Sequence, residues 1–175
     1  MYYTPSDDTF LLADCIKQYY GQWALEIGVG SGLLLQILER NFQNVVGSDI
    51  SLQALEYTKS RSTAMLVCCD AASAFAGGMF DLIVSNPPYL PDDDDDKVKD
   101  STVHGGPAGI ETTIRFVRSA LPQLAHRGKM LIVVSTLANS AELERLLAEE
   151  TKMRKKVIKE KKLFYETLSA IELSR

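Results

Sequence analysis

Trp23-Ala24-Leu25-Glu26-Ile27-Gly28-Val29-Gly30-Ser31-Gly32 decides the architecture of this chain. The apolar run 23–27 is too short for a helix and opens into three glycines at alternate positions. Leu33, Leu34, Leu35, Ile37 and Leu38 follow at helical spacing. The pattern predicts a buried strand, a tight turn and a helix, which is the unit from which parallel α/β sheets are built.

The same unit repeats outward from this stretch. Residues 44–48 read as a second strand ending at Asp49, before a helix capped by Ser51 and carrying Leu52, Leu55 and Tyr57. Residues 64–69 read as a third strand ending at Asp70, and 71–78 as a short helix or loop. Residues 80–84 form a fourth strand, which leaves the sheet through Ser85-Asn86-Pro87-Pro88-Tyr89. Pro88 has no N–H and pushes Pro87 away from helical geometry, so this exit is stiff and extended.

Upstream, Ser6-Asp7-Asp8-Thr9 looks like a helix start, with Phe10, Leu11, Cys15, Ile16 and Tyr19 inward and Gly21 as its end. Downstream, residues 110–126 read as a helix broken or kinked at Pro122, and 129–134 as a fifth strand. Asn139 caps a helix through Leu143, Leu146 and Leu147; residues 153–159 and 163–173 read as a hairpin. Residues 90–109 form the one long irregular stretch, with five consecutive aspartates at 92–96. The expected fold is therefore a Rossmann-like α/β fold. Its seven-stranded, mostly parallel sheet has helices on both faces and a C-terminal antiparallel hairpin, in a single domain over 1–175.

Composition narrows the partners. A net charge of −4 gives no global basic field for nucleic acid or an anionic membrane. The apolar runs are far below the ~20 residues of a membrane span. The first residues show no basic region followed by an apolar stretch, so no signal peptide is expected. Cys15, Cys68 and Cys69 form no C-x-x-C pair, and His104 and His126 stand apart. Reduced, largely buried thiols in a cytoplasmic protein are expected, with no metal site.

In parallel sheets ligands bind at the carboxyl ends of the strands. Glu26 with Gly28, Asp49, Asp70 and Asn86 all fall at such ends. The glycine loop is not a dinucleotide fingerprint, because Leu33 stands where the third glycine belongs, and no Lys-Ser/Thr follows for a nucleoside triphosphate. A carboxylate at 26 would repel a pyrophosphate but suits an ammonium group. Asp49, about 20 residues on, suits ribose hydroxyls. Asp70 suits an adenine amino group, by its side chain or the adjacent backbone. S-adenosylmethionine has an amino-acid end, a ribose and an adenine, and no phosphate.

These residues together with Asn86-Pro87-Pro88-Tyr89 resemble the class I S-adenosylmethionine-dependent methyltransferases that act on planar nitrogens. Pro5-Ser6-Asp7-Asp8-Thr9-Phe10-Leu11, His104-Gly105-Gly106-Pro107-Ala108-Gly109 and Glu166-Thr167-Leu168-Ser169 resemble the start, a glycine loop and the closing strand of the HemK family. The likeness runs along nearly the whole chain and points to the short archaeal/eukaryotic branch. It implies transfer of a methyl group to the side-chain amide of a glutamine in the Gly-Gly-Gln loop of a class I translation release factor.

By the resemblance, Thr9, Glu26, Gly28, Gly30, Asp49, Asp70, Ala71 and Asn86 contact the cofactor. Asn86, Pro87, Pro88 and Tyr89 hold the substrate amide, with Asn86, Pro87 and Tyr89 as the catalytic set. It also implies a small zinc-binding activator subunit as a partner. The aspartate run matches no motif of the family.

An adenine amino group in DNA or RNA is equally planar and is the alternative substrate. The acidic loop argues against it, and a non-catalytic cofactor-binding scaffold is the third reading. The basic cluster 152–162, with seven Lys/Arg against Glu160, reads either as a solvated edge hairpin or as a contact for ribosomal RNA or an acidic protein face.

Overall fold

The computed structural model describes residues 4–92, 100 and 102–175. Helix α1 (Asp7–Ile16) leads into strand β1 (Gly21–Ile27), helix α2 (Leu33–Leu38), strand β2 (Phe42–Asp49), helix α3 (Leu52–Lys59), and strands β3 (Met65–Cys68) and β4 (Phe80–Ser85). Two short strands follow, β5 (Leu90–Pro91) and β6 (His104–Gly106). Helix α4 (Glu111–Ala120), strand β7 (Leu124–Ser135), helix α5 (Ser140–Thr151) and strands β8 (Arg154–Lys162) and β9 (Thr167–Ser174) complete the order. The main sheet has seven strands in the order β3-β2-β1-β4-β7-β9-β8. β1, β2, β3, β4 and β7 run parallel, and β9 pairs antiparallel with both β7 and β8.

The central strands are apolar at successive positions because both faces are covered. Ala24, Leu82, Val84, Leu131 and Val133 pack with α1, α2 and Leu55 of α3 on one face. Leu25, Ile83, Met130 and Ile132 pack with α4 and α5 on the other. No helix among the described residues is long and apolar enough to cross a membrane.

Several local expectations are corrected. α1 ends at Ile16, and Gly21 opens β1 rather than closing the helix. The buried face of α1 runs through Asp8, Leu11, Leu12, Cys15 and Ile16, so Phe10 lies on the far side at 52% exposure. Ser6 stands at the N-cap, but its side chain makes no capping bond. On α3, Leu52 is exposed, while Ser51 does cap by accepting from the Ala54 N–H at 3.3 Å.

Of the two readings for residues 71–78, the loop is the one found: they make turns. Pro122, which cannot donate, marks the end of α4: the chain passes through a three-residue 3-10 turn (Leu121–Gln123) and enters β7 at Leu124, well before His126. Cys68, expected to be buried, is exposed on the edge strand β3, and all three thiols are free.

The stretch 90–109 is less irregular than expected. β5 and β6 form a small parallel ladder, closed by Leu90 N–H donating to the Val103 carbonyl and Asp92 N–H to the Gly106 carbonyl, both at 3.0 Å. Of the aspartate run, all but Asp92 lies outside the described residues.

Candidate active site

The sheet order puts β1 and β4 side by side, with β2 and β3 beyond β1. The strand ends therefore stand in one row, with Ile27 opposite both Ser48 and Ser85 and Asp49 opposite Cys68. From β1 the strands are added toward β3 on one side and from β4 toward β7 on the other, so the strand order reverses between β1 and β4, and there the loops part into a crevice. A cavity of about 680 Å³ opens at this place. Thr9, Glu26, Gly28, Gly30, Asp49, Asp70, Ala71, Asn86, Pro87, Pro88 and Tyr89 all line it, so every residue singled out from the sequence arrives at one site.

The glycine loop is shaped by backbone geometry. Gly28, Gly30 and Gly32 have φ of 79°, 48° and 77°, where a Cβ is strained. A Cβ at Gly32 would also meet the Thr58 side chain. Asp49 braces this loop from β2: Oδ2 accepts from the Gly30 N–H at 3.2 Å and Oδ1 from the Ser51 N–H at 2.8 Å.

Glu26 is 3% exposed, and its Oε2 has no hydrogen-bond partner. Burial pushes its carboxyl well above the usual range, and the charge of Asp49 pushes the same way; the Leu35 backbone N–H opposes them. A buried acid with an open oxygen is costly to ionise alone. A ligand ammonium would remove that cost.

Asn86 is held from α1. Its Nδ2 donates to Thr9 Oγ1 at 3.3 Å, while its Oδ1 is buried without a partner. Tyr89 OH donates to Asp8 Oδ2 at 3.2 Å. The β6 loop presses on the same segment from the other side. A Cβ at Gly105 would run into the Pro88 carbonyl, and one at Gly109 into the Tyr89 carbonyl. The glycines of this loop thus let it lie against Asn86-Pro87-Pro88-Tyr89 at backbone distance.

Asp70 is more constrained than its position suggested. Arg115 Nη1 of α4 donates to its Oδ1 at 2.9 Å, which leaves Oδ2 and the neighbouring backbone for a ligand amino group. Sequence reading did not assign Asp8, His104, Arg115, Phe116 or Glu166 to the site, yet they line the cavity. Asp8 sits beside Thr9 in a quoted motif. Arg115 and Phe116 had no signal beyond helical spacing. Glu166 accepts from Ser135 Oγ across the β7–β9 pair, a contact that joins residues far apart in the chain. Among the described residues no group of His, Cys, Asp and Glu could hold a metal.

The site can bind an ammonium at Glu26 and hydroxyls at Asp49. At Asn86 it can take N–H donors. Comparison with known proteins agrees with this chemistry. A family model described as "Methyltransferase domain" matches residues 25–87. A Methanocaldococcus jannaschii protein named "Putative protein N5-glutamine methyltransferase" is 32% identical over 149 residues, covering 80% of this chain and 75% of that one. A Bradyrhizobium diazoefficiens "Release factor glutamine methyltransferase" is 34% identical over 138 residues, covering 70% of this chain; the match spans only 46% of that longer protein.

Among solved structures, the E. cuniculi Mtq2-Trm112 complex, described as responsible for methylating the eRF1 translation termination factor, matches with a TM-score of 0.79 and 26% identity. That match covers 99% of this chain and 98% of the other. The archaeal relative matches over three quarters of its length and the glycine loop and Asn-Pro-Pro-Tyr segment share one cavity, so the chain belongs to the protein N5-glutamine methyltransferase family and has the class I methyltransferase fold.

Proposed function

We propose that this protein transfers a methyl group from S-adenosylmethionine to the side-chain amide nitrogen of a protein glutamine, in the Gly-Gly-Gln loop of a class I translation release factor. The observation that carries this reading is the open, buried Asn86 Oδ1 in the same cavity as the open, buried Glu26 Oε2. One is an acceptor suited to an amide N–H, the other an acid suited to an ammonium. The names of the relatives point the same way.

S-adenosylmethionine supplies a methyl carbon made electrophilic by its sulfonium. Glu26 would hold its ammonium, Asp49 its ribose, and Asp70 with Ala71 its adenine, while Thr9, Gly28 and Gly30 bound the same space. The chain's own contribution is orientation. An amide nitrogen is a weak nucleophile because its lone pair is delocalised into the carbonyl. Asn86 Oδ1 and the Pro87 carbonyl accept the two N–H groups of the substrate amide, fixing its plane and favouring positive charge as it develops on nitrogen. Tyr89 and the proline rings wall the slot. The proton lost from the alkylated nitrogen needs no strong base, since that nitrogen becomes acidic.

The adenine alternative fits less well. Three of the five lysines of β8 are answered by acids: Lys155 by Glu144, Lys159 by Asp14 and Lys161 by Asp7. That weakens the field a phosphate backbone would need.

We also take the chain to work as one domain in the cytoplasm with a small zinc-binding activator. Supporting the partner, β3 is an edge strand beside exposed Ile50, Leu52 and Met65 (72%, 60% and 48% exposed), an apolar edge of the kind proteins normally cover. The test is methyl transfer to a purified release factor, with and without the activator, against a Gln→Glu release factor and against DNA and RNA. Labelling of the glutamine alone is expected. Labelling only of nucleic acid overturns the reading.

A further inference from the structure

We infer that Asp8 is a positioning residue that sets the polarity of the Asn86 amide, and so makes the site choose an amide over a carboxylate. This rests on the glutamine reading above. Asp8 is 3% exposed, in the first turn of α1, at an inward position where the rest of that face is mostly apolar. Both its oxygens are used on the site. Oδ1 accepts from the Thr9 hydroxyl at 3.2 Å and from the Thr9 N–H; Oδ2 accepts from Tyr89 OH at 3.2 Å.

The chain of donors has only one direction. An ionised carboxylate can only accept. The Thr9 hydroxyl has a single proton, and it goes to Asp8. Towards Asn86, Thr9 Oγ1 is then left as an acceptor only, and it takes the Nδ2 proton at 3.3 Å. Asn86 Nδ2 is thereby turned to α1, and Oδ1 is the atom left without a partner in the cavity wall.

The two ends of a carboxamide are nearly the same shape, so packing alone does not choose between them. The hydrogen-bond chain does. Without an acceptor-only group at position 8, the Thr9 proton could turn to Asn86 Oδ1. The amide would flip and present N–H donors. Donors facing the slot repel the NH₂ of a glutamine and welcome the oxygens of a glutamate. Tyr89, tied to the second oxygen of Asp8, couples the far wall of the slot to the same residue.

The experiment is Asp8→Asn, which keeps size and shape but adds donors. Thr9→Val is the second variant, which removes the relay. Release-factor loop peptides ending the Gly-Gly motif in Gln or in Glu are used as ligands in the presence of S-adenosylhomocysteine. Turnover is measured on the Gln peptide, and binding on both. For Asp8→Asn, turnover is expected to fall on the order of 10²-fold. The preference for Gln over Glu peptide should shrink at least tenfold, with S-adenosylhomocysteine affinity within about twofold of wild type.

Thr9→Val should reproduce the loss of preference, and the double variant should lose little more. A merely structural role for Asp8 would lower both peptide affinities together and leave their ratio intact, and that result overturns the inference. Wild-type protein that leaves the glutamine unmethylated overturns the substrate reading, and this inference with it. Wild-type activity with an unchanged ratio in Asp8→Asn overturns this inference alone.

Discussion

Replacing Glu26 by Gln tests the buried acid on which cofactor recognition is built. The change keeps the volume and removes the charge. In the ligand-free protein the carboxyl is buried, has an open oxygen, and is held well above the ordinary range by burial and by Asp49. An ammonium placed against it favours the ionised form, so binding releases a proton. Affinity for S-adenosylhomocysteine should therefore rise with pH up to the raised value and flatten above it.

Glu26→Gln exchanges a charge-assisted hydrogen bond for a neutral one, a loss of about 1–1.5 kcal/mol, or roughly 5- to 12-fold in Kd. The variant's affinity should also lose that pH dependence. Stability moves the other way. A folded-state carboxyl that titrates high contributes fully below its unfolded value and loses that contribution as pH rises toward the folded one. The ligand-free variant should therefore match wild type in melting temperature near pH 4 and exceed it at pH 8. Calorimetry in two buffers of different ionisation enthalpy reads proton release directly. Wild-type binding without proton release, or a variant that binds as tightly as wild type, refutes the reasoning.

Asn86→Ala should lower turnover on the glutamine substrate on the order of 10²-fold, with a much smaller change in cofactor affinity; near-normal turnover removes Asn86 from the mechanism. Gly109→Ala puts a Cβ against the Tyr89 carbonyl at a φ of 73°. It should cost about 1–2 kcal/mol in denaturant unfolding and lower turnover further by shifting the substrate wall; an unchanged unfolding midpoint contradicts the close packing. On β9, between β7 and the edge strand β8, burial raises the Glu172 carboxyl, but hydrogen bonds from Tyr19 at 2.7 Å and Lys129 at 3.0 Å bring it below its ordinary value. Glu172→Gln should cost about 1–2 kcal/mol at pH 7, and the deficit should fade as pH drops through the lowered folded value; a deficit that grows in acid would reverse the sign of this account.

Much of the fold was legible because it is written locally. Apolar runs of strand length, glycines after β1 and helical spacing after each loop are short-range patterns, and they define the parallel core. Ser51 and Asn139 cap as expected for the same reason, with Asn139 Oδ1 accepting from the Glu142 N–H at 3.3 Å. Reading failed where apolar character misled. An apolar side chain suggests an inward place for Phe10, yet it is only one and two positions from Leu11 and Leu12, whereas Asp8 precedes them by three and four and shares their face. Asp8 took the inward place because Thr9 and Tyr89 answer its carboxylate there. The end of α4 was misjudged because the apolar residues of β7 continue its spacing past Pro122.

Local pattern was enough for the strands and helices of the main sheet, the glycine turn, and the set of polar residues at the strand ends, since each follows from neighbours within a few residues. How those residues are wired together depends on the folded chain. The Asp70–Arg115 pair, the open oxygens of Glu26 and Asn86, the approach of Gly105 and Gly109 to the Pro88 and Tyr89 backbone, and the Asp8–Thr9–Asn86 chain join segments that sequence spacing does not relate. Hydrogen bonds depend on direction and on distances of a few tenths of an ångström. Those are fixed only when α1, α4 and the β6 loop close on the ends of the same two strands.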